Sequence, residues 1–332
     1  MRPQARGSAV RLGPGAEFDL IRSLFADAPE ALDGVSVGPG DDAAVLNIED
    51  SVVLSVDLTI EGVHFRRQWL TLPEIGYRAA SAALSDLAAM AARPVGVLVS
   101  LALPEAEAAQ LGPALQQGIR EACALCECAV LGGDVTRSPG PLVLDVMVVG
   151  SVANPMTRSA ARSGDEIWVT GVLGGAAGAV AAWEAGDDPD PTLRSAYAHP
   201  VPRVTEARWL ANEAGVHAMI DLSDGLMGDA AHMAAASDVG IVIEEALVPA
   251  HGALSREHAM TVALVGGEDY ELCVSAPKGR LGPLARAFED HFGLPLTRVG
   301  SVTNGDGLSI LRPGATFPEP MDDSGFDHFK TL

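Results

Sequence analysis

The sequence predicts a two-domain α+β protein, and three observations carry that reading. Its 332 residues are 48% hydrophobic and only 5% aromatic, enough apolar material for two packed cores. In the first half, segments of strand and helix period mix without strict β-α-β alternation, which favours a largely antiparallel sheet with flanking helices. A polar stretch at Val152 to Ser163 then interrupts the pattern. The reading places an N-terminal domain at 1–155 and a C-terminal α/β sandwich domain at 156–332.

In chain order, Phe18, Ile21, Leu24 and Phe25 have helical spacing within Glu17 to Asp27, and a Gly/Pro/Asp loop follows at 38–42. Strands fit Ala43 to Ile48 and Ser51 to Leu58. Pro73 opens an alanine-rich helix that runs to about Ala92, Pro94 ends it, and Val95 to Leu103 reads as a buried strand. A helix from Glu105 to Ala124 and strands at Cys128 to Leu131 and Leu142 to Val152 complete the first half. The second half restarts with a strand at Glu166 to Thr170, a glycine-rich turn at 171–178 and a helix to about Gly186, and GDDPDP at 186–191 reads as a surface loop. Helices follow at about Arg203 to Ala214, Gly225 to Ala236 and Arg280 to Phe292. Strands are expected at Gly240 to Glu244, Tyr270 to Ser275, Thr297 to Val302 and Leu308 to Leu311.

Lys and Arg number 22 against 44 Asp and Glu, a formal charge of -22. A field of that sign repels phosphate backbones and anionic lipid headgroups, so neither nucleic acid nor membrane is an expected partner. The basic N-terminus lacks the apolar core of a signal peptide, and the longest apolar runs are far too short to span a bilayer, so a cytoplasmic location is expected. Cys123, Cys126, Cys128 and Cys273 are too few and too clustered for a disulfide framework, and no second Cys or His pair completes a zinc site. The only lysines, Lys278 and Lys330, follow no glycine-rich loop, which excludes a P-loop and a protein-kinase fold. The turn at 171–178 misses the dinucleotide spacing and reads as a tight strand-to-helix turn. No HExxH or GxSxG motif occurs.

Carboxylates recur instead at strand ends and beside glycine or serine. Asp41 and Asp42 follow Gly40, Ser55 and Asp57 share one strand face, and Asp134 follows Gly132-Gly133. Asp221, Ser223 and Asp224 sit in DLSDG, and Glu268 and Asp269 follow Gly266-Gly267. Singly, each reads more readily as a turn residue or helix cap, and His64 as a satisfied strand-end histidine. Asp86 is different, because it falls on the apolar stripe marked by Ile75, Ala79, Ala82, Ala83 and Met90. A carboxylate there must be protonated or face a cation. Two like charges ~4 Å apart repel by roughly 4 kcal/mol at an effective dielectric near 20, so converging aspartates call for a divalent metal. Oxygen-only ligands favour Mg²⁺, Mn²⁺ or Ca²⁺, and Mg²⁺ is the one commonly completed by substrate phosphates. A non-catalytic divalent-metal-binding protein would use the same acidic turns.

Taken in order, GPGDDAAVL (38–46), SVDLTIEGVHF (55–65), ALSDLAAMAARP (83–94), GGDVTR (132–137), GDEIWVTGVLGGAAG (164–178), DLSDGL (221–226) and GGEDYEL (266–272) resemble the thiamine-monophosphate kinases over nearly the whole chain. Looser forms of several motifs occur across a superfamily that includes aminoimidazole ribonucleotide synthetase, the alternative reading. EGVHF together with GGEDYEL points to the thiamine branch. The resemblance implies ATP-dependent phosphorylation of thiamine monophosphate to thiamine diphosphate, in a two-domain protein that dimerises through its N-terminal domains. By the same resemblance, Asp42, Ser55, Asp57, Asp86, Asp134, Asp221 and Asp224 match positions that hold several Mg²⁺ ions around the ATP phosphates, with Asp57, Asp86, Asp134 and Asp224 expected to be catalytic. Gly133, Asp134, Arg158 and Ser223 match nucleotide-contacting positions, and His64, Glu268 and Phe326 match substrate-contacting ones. Gln116 stands where the family often has a nucleotide-contacting tyrosine.

Overall fold

The computed structural model describes residues 20–21, 23–25, 34–38, 43–255 and 259–321. The chain divides into two compact units, Met1–Leu87 with Ala92–Asn154, and Ala88–Ala91 with Pro155–Leu332.

In the first unit, β1 (Val35–Val37) pairs with β2 (Val45–Leu46) in a small antiparallel ladder. There follow β3 (Ser51–Ile60), α1 (Leu72–Ala89), β4 (Arg93–Pro104), α2 (Ala108–Leu125), β5 (Val130–Ser138) and β6 (Val143–Val152). The four long strands form one sheet in the order β3-β6-β4-β5, antiparallel except for the β4–β5 pair. That parallel pair needs a crossover, and α2 supplies it. Val97, Val99, Leu101 and Leu103 alternate along β4 and are buried on one face of the sheet. The other face is open along β3, where Val52, Leu54, Val56 and Leu58 are 49–63% exposed.

The start of α1 is fixed by a capping box. The Thr71 amide donates to Glu74 Oε2 at 2.8 Å, and the Glu74 amide donates back to Thr71 Oγ1 at 3.4 Å. Glycines set how closely the two helices approach. A Cβ on Gly118 would lie 1.7 Å from the Pro73 carbonyl oxygen, and one on Gly76 would lie 2.0 Å from that of Leu115.

The largest departure from the sequence reading in this unit is at Gly132-Gly133-Asp134, expected beyond the end of a strand. The strand continues to Ser138 and carries all three residues. Gly133 has φ +154°, and a Cβ there would lie 1.8 Å from the Val99 carbonyl oxygen. The glycine is therefore present for close approach to the partner strand β4, a long-range requirement that resembles a turn signal in the sequence.

The second unit contains β7 (Glu166–Thr170), α3 (Gly175–Ala185), α4 (Pro191–Ala198), α5 (Val204–Trp209), β8 (Ala218–Asp221), α6 (Leu226–Ser237), β9 (Gly240–Glu244), α7 (Ala259–Val265), β10 (Leu272–Ala276), α8 (Gly282–Phe292), β11 (Leu296–Thr303), β12 (Gly307–Leu311) and β13 (Glu319–Met321). Its seven strands are ordered β13-β12-β9-β11-β7-β10-β8, and only β9–β12 is parallel. Ile167, Val169, Ile220, Met227, Met233 and Ile243 belong to one core between this sheet and its helices. The two α+β units match the predicted fold class. The segment read as a surface loop is one over 186–190, and its end starts α4, a helix the sequence reading did not include: Asp190 caps it by accepting the Thr192 amide at 2.8 Å, and Pro191 occupies the first turn. Helix α7 was not anticipated. Among the described residues, no helix is long and apolar enough to cross a membrane.

Candidate active site

In the first unit, β3 and α1 bring together the residues predicted from two separate motifs. Ser55 Oγ donates to Asp86 Oδ2 at 2.5 Å, which gives the carboxylate on the apolar stripe a polar partner. Asp57 lies on the same face of β3 as Ser55, since strand side chains alternate. The strand ends in a turn closed by the Gly62 amide donating to the Phe65 carbonyl at 2.8 Å. Within that turn His64 Nδ1 accepts the Ile60 amide at 3.0 Å. Arg67 and the Leu142 amide hold the neighbouring Glu61 at 2.6 and 3.1 Å.

Asp134 does not join this group. The row containing Asp57 runs through Val146 and Val99 to Gly133, so Asp57 and Gly133 sit at one height on opposite edges of the sheet. Three strand spacings of ~4.8 Å separate them by about 14 Å. Asp134 itself pairs with Ser100, which pairs with Asp145, and this places it on the opposite sheet face from Asp57. Its Oδ1 accepts the Val135 amide at 2.9 Å. Gln116 is buried on α2, 2% exposed, and its amide nitrogen has no hydrogen-bond partner among the described residues. Asp42 and Phe326 lie outside the described residues.

In the second unit, DLSDG and GGEDYEL are laced together by backbone hydrogen bonds. The Glu268 amide donates to the Ser223 carbonyl, the Tyr270 amide to the Leu222 carbonyl, and the Leu222 amide to the Glu271 carbonyl, all at 2.8 Å. Gly267 allows the approach, because a Cβ there would lie 2.4 Å from the Ser223 carbonyl oxygen. Asp221 closes β8, a strand the sequence reading did not include, and Ser223 and Asp224 form the turn into α6, just ahead of a helix as expected. Arg158 is exposed, its carbonyl accepts the Ser237 hydroxyl at 2.8 Å, and its guanidinium makes no ion pair among the described residues.

Sequence reasoning missed Asp229. It is 2% exposed on α6 and accepts the Asp224 amide at 3.1 Å. Burial, with Asp221 and Asp224 beside it, pushes its carboxyl up to about 8. Asp229 shares the buried face with Leu226, Ala230 and Met233. The stripe argument that singled out Asp86 would have found it too.

Two further carboxylates lie just ahead of β10. Asp269 accepts the Gly174 amide at 2.8 Å, occupying the N-terminus of α3, and burial pushes its carboxyl up to about 8 although backbone amides of that turn favour the charged form. The glycine-rich turn is therefore filled by a carboxylate of the chain itself, in keeping with its reading as a structural turn. Glu271 accepts two bonds from Arg203, at 2.6 and 3.0 Å, and one from the Thr170 hydroxyl at 2.6 Å. Asp269, Glu271, Arg203, His199 and His251 line a cavity of about 240 Å³.

Among the described residues, no three His, Cys, Asp or Glu side chains form a ready metal cluster. The donors instead form small oxygen-only groups: Ser55 with Asp86, and Asp221 and Asp224 near a buried Asp229. Hard oxygen donors in ones and twos fit Mg²⁺, which keeps water and phosphate ligands and seldom uses an all-protein cage.

Comparison with known proteins agrees with both halves of this description. The family model described as AIR synthase related protein, N-terminal domain, matches residues 40–152, and the corresponding C-terminal domain model matches residues 162–312. The thiamine-monophosphate kinase of Escherichia coli K12 is 36% identical over 327 residues, covering 95% of this chain and 98% of the relative. The crystal structure of thiamine-monophosphate kinase from Stenotrophomonas maltophilia K279a is 35% identical, with a TM-score of 0.79 over 90% of this chain and 96% of that one. A structure described as AaThiL complexed with AMPPCP and TMP superposes with a TM-score of 0.73 at 28% identity, covering 94% and 96% of the two chains. With this identity and coverage in both sequence and structure, the chain belongs to the thiamine-monophosphate kinase family.

Proposed function

We propose that this protein transfers the γ-phosphoryl group of ATP to the phosphate of thiamine monophosphate, giving ADP and thiamine diphosphate. The observation that carries the reading within the structure is the lacing of DLSDG to GGEDYEL, which holds Ser223 and Asp224 against Glu268. A phosphate oxygen of thiamine monophosphate attacks the γ-phosphorus in line, the bond from γ-phosphorus to the β–γ bridging oxygen breaks, and no phosphoenzyme forms. Such a transition state asks the protein for positioning and charge neutralisation more than covalent chemistry.

The residues divide that work as follows. Gly133, Asp134, Arg158 and Ser223 contact ATP; a guanidinium fork at Arg158 suits phosphate better than an ammonium would. His64, Glu268 and Phe326 receive thiamine monophosphate. Asp42, Ser55, Asp57, Asp86, Asp134, Asp221 and Asp224 supply oxygen ligands for several Mg²⁺ ions, which when bound neutralise the phosphates so that two anionic substrates can approach. Asp57, Asp86, Asp134 and Asp224 are the catalytic members of that set. On this reading residues 1–155 bind ATP and Mg²⁺ and form a homodimer, with a second copy covering the exposed apolar face of β3, and residues 156–332 complete the nucleotide and substrate site. The partners are small molecules in the cytoplasm, with no role for nucleic acid or membrane.

The test is direct: the purified full chain is given ATP, Mg²⁺ and thiamine monophosphate. Formation of ADP and thiamine diphosphate in equal amounts, with inversion at phosphorus, supports the proposal. Absence of thiamine diphosphate, a trapped phosphoenzyme or net retention overturns it.

A further inference from the structure

We infer that Tyr270 is a positioning residue that fixes the Glu268 carboxylate for the thiamine part of the substrate; the inference rests on the function proposed above. Tyr270 is buried, and its hydroxyl donates to Glu268 Oε2 at 2.7 Å. The backbone makes this pairing at a cost, since Glu268 and Tyr270 have φ of +74° and +52°, a region that non-glycine side chains rarely occupy. Two left-handed residues flanking Asp269 bring the first and third side chains of Glu268-Asp269-Tyr270 together.

Everything around the pair holds that geometry. The amides of both residues are tied to Ser223 and Leu222. Asp269, between them, is anchored on the N-terminus of α3, and Glu271, immediately after, is clamped by Arg203 and Thr170. The loop is fixed at four successive residues, and the Tyr270 hydroxyl adds a direct restraint on the Glu268 side chain itself. A carboxylate oriented in advance binds a cationic or amine-bearing heterocycle more tightly than a mobile one, because less rotamer freedom is lost on binding.

The experiment is a double-mutant cycle on the full-length enzyme with Tyr270→Phe and Glu268→Ala. It reads KM for both substrates, kcat, and calorimetric binding of thiamine monophosphate. Phenylalanine keeps the ring and removes one hydrogen bond to a charged acceptor. The expected result is a rise of about tenfold in KM and Kd for thiamine monophosphate, with KM for ATP unchanged and kcat within about twofold. In the Glu268→Ala background, adding Tyr270→Phe produces no further rise. An unchanged Kd for thiamine monophosphate in Tyr270→Phe, or effects that multiply in the double variant, overturns the inference. Loss of folded protein lowers apparent kcat and leaves KM unmoved, so it cannot imitate the expected result. If the unmodified enzyme binds thiamine monophosphate without phosphorylating it, the proposed function fails while the binding arm still decides the role of Tyr270. If it does not bind thiamine monophosphate, both fail.

Discussion

Removing Arg203 tests the physical account of the second unit most directly. Its guanidinium meets Glu271 at 2.6 and 3.0 Å, with side-chain exposures of 17% and 6%. A third contact reaches Glu206 at 3.6 Å. At about 3 Å and an effective dielectric of 20, the attraction between two such charges is roughly 5 kcal/mol, and desolvation of the same groups offsets much of it. The pair as a whole therefore adds little, whereas breaking it leaves Glu271 buried and charged. Arg203→Met is expected to cost about 3–5 kcal/mol, a fall of roughly 10 °C in melting temperature for a unit of this size. Arg203→Met/Glu271→Leu should recover part of that loss, because it removes the more closely paired of the two carboxylates that Arg203 meets and leaves Glu206. Urea unfolding monitored by tryptophan fluorescence reports on this unit, which contains Trp168, Trp183 and Trp209. A loss below about 1 kcal/mol in the single variant, or a double variant as unstable as the two singles summed, would refute the reasoning.

Asp86→Asn keeps the size of a side chain held by Ser55 but removes its charge, so turnover should drop by at least about 100-fold with an unchanged circular dichroism spectrum; near-normal kcat would remove Asp86 from the catalytic set. Asp269 gives a pH signature. Its carboxyl titrates near 8 in the folded chain against about 3.9 when unfolded. The folded state therefore holds the extra proton between those values, and stability falls as pH rises through them, by at most about 1.4 kcal/mol per pH unit. The Asp229 carboxyl is raised to the same range, so Asp269→Asn, which keeps an acceptor for the Gly174 amide, should roughly halve the fall of the urea midpoint between about pH 5 and 8 without abolishing it; parallel profiles for the two proteins would rule out the Asp269 titration. Leu54, 57% exposed at the centre of the β3 stripe, should tolerate aspartate in a monomer and not in a dimer, so Leu54→Asp should halve the mass seen by light scattering. An unchanged mass would place the dimer contact elsewhere, or nowhere.

Local chemistry explains what the sequence made legible. Asp86 was identifiable because a carboxylate on an apolar helical stripe has to be explained, and the structure supplies the Ser55 hydroxyl. Asp229 obeys the same rule on α6, and escaped notice because DLSDG, five residues earlier, already accounted for the acidic character of the segment. The helix α4 was hidden for a related reason: Asp190 and Pro191 are loop-forming residues in one context and an N-cap with a first-turn proline in another.

Non-local register accounts for the rest. Gly132-Gly133 signals a turn by composition, and only the position of the Val99 carbonyl reveals that Gly133 instead admits a neighbouring strand. Strand order has the same character. No spacing between Asp57 and Asp134 indicates that two strands will lie between theirs, yet the order β3-β6-β4-β5 puts them on opposite edges and opposite faces of one sheet. A single compact cage of ligands, the simplest picture of seven acidic or hydroxyl side chains, is thus incompatible with the sheet of one chain. Donors dispersed in ones and twos would suit ions that arrive on phosphates, which would supply part of the ligand set. Under the proposed function, this strand order would suit Mg²⁺ delivered with the nucleotide better than a permanently bound structural ion.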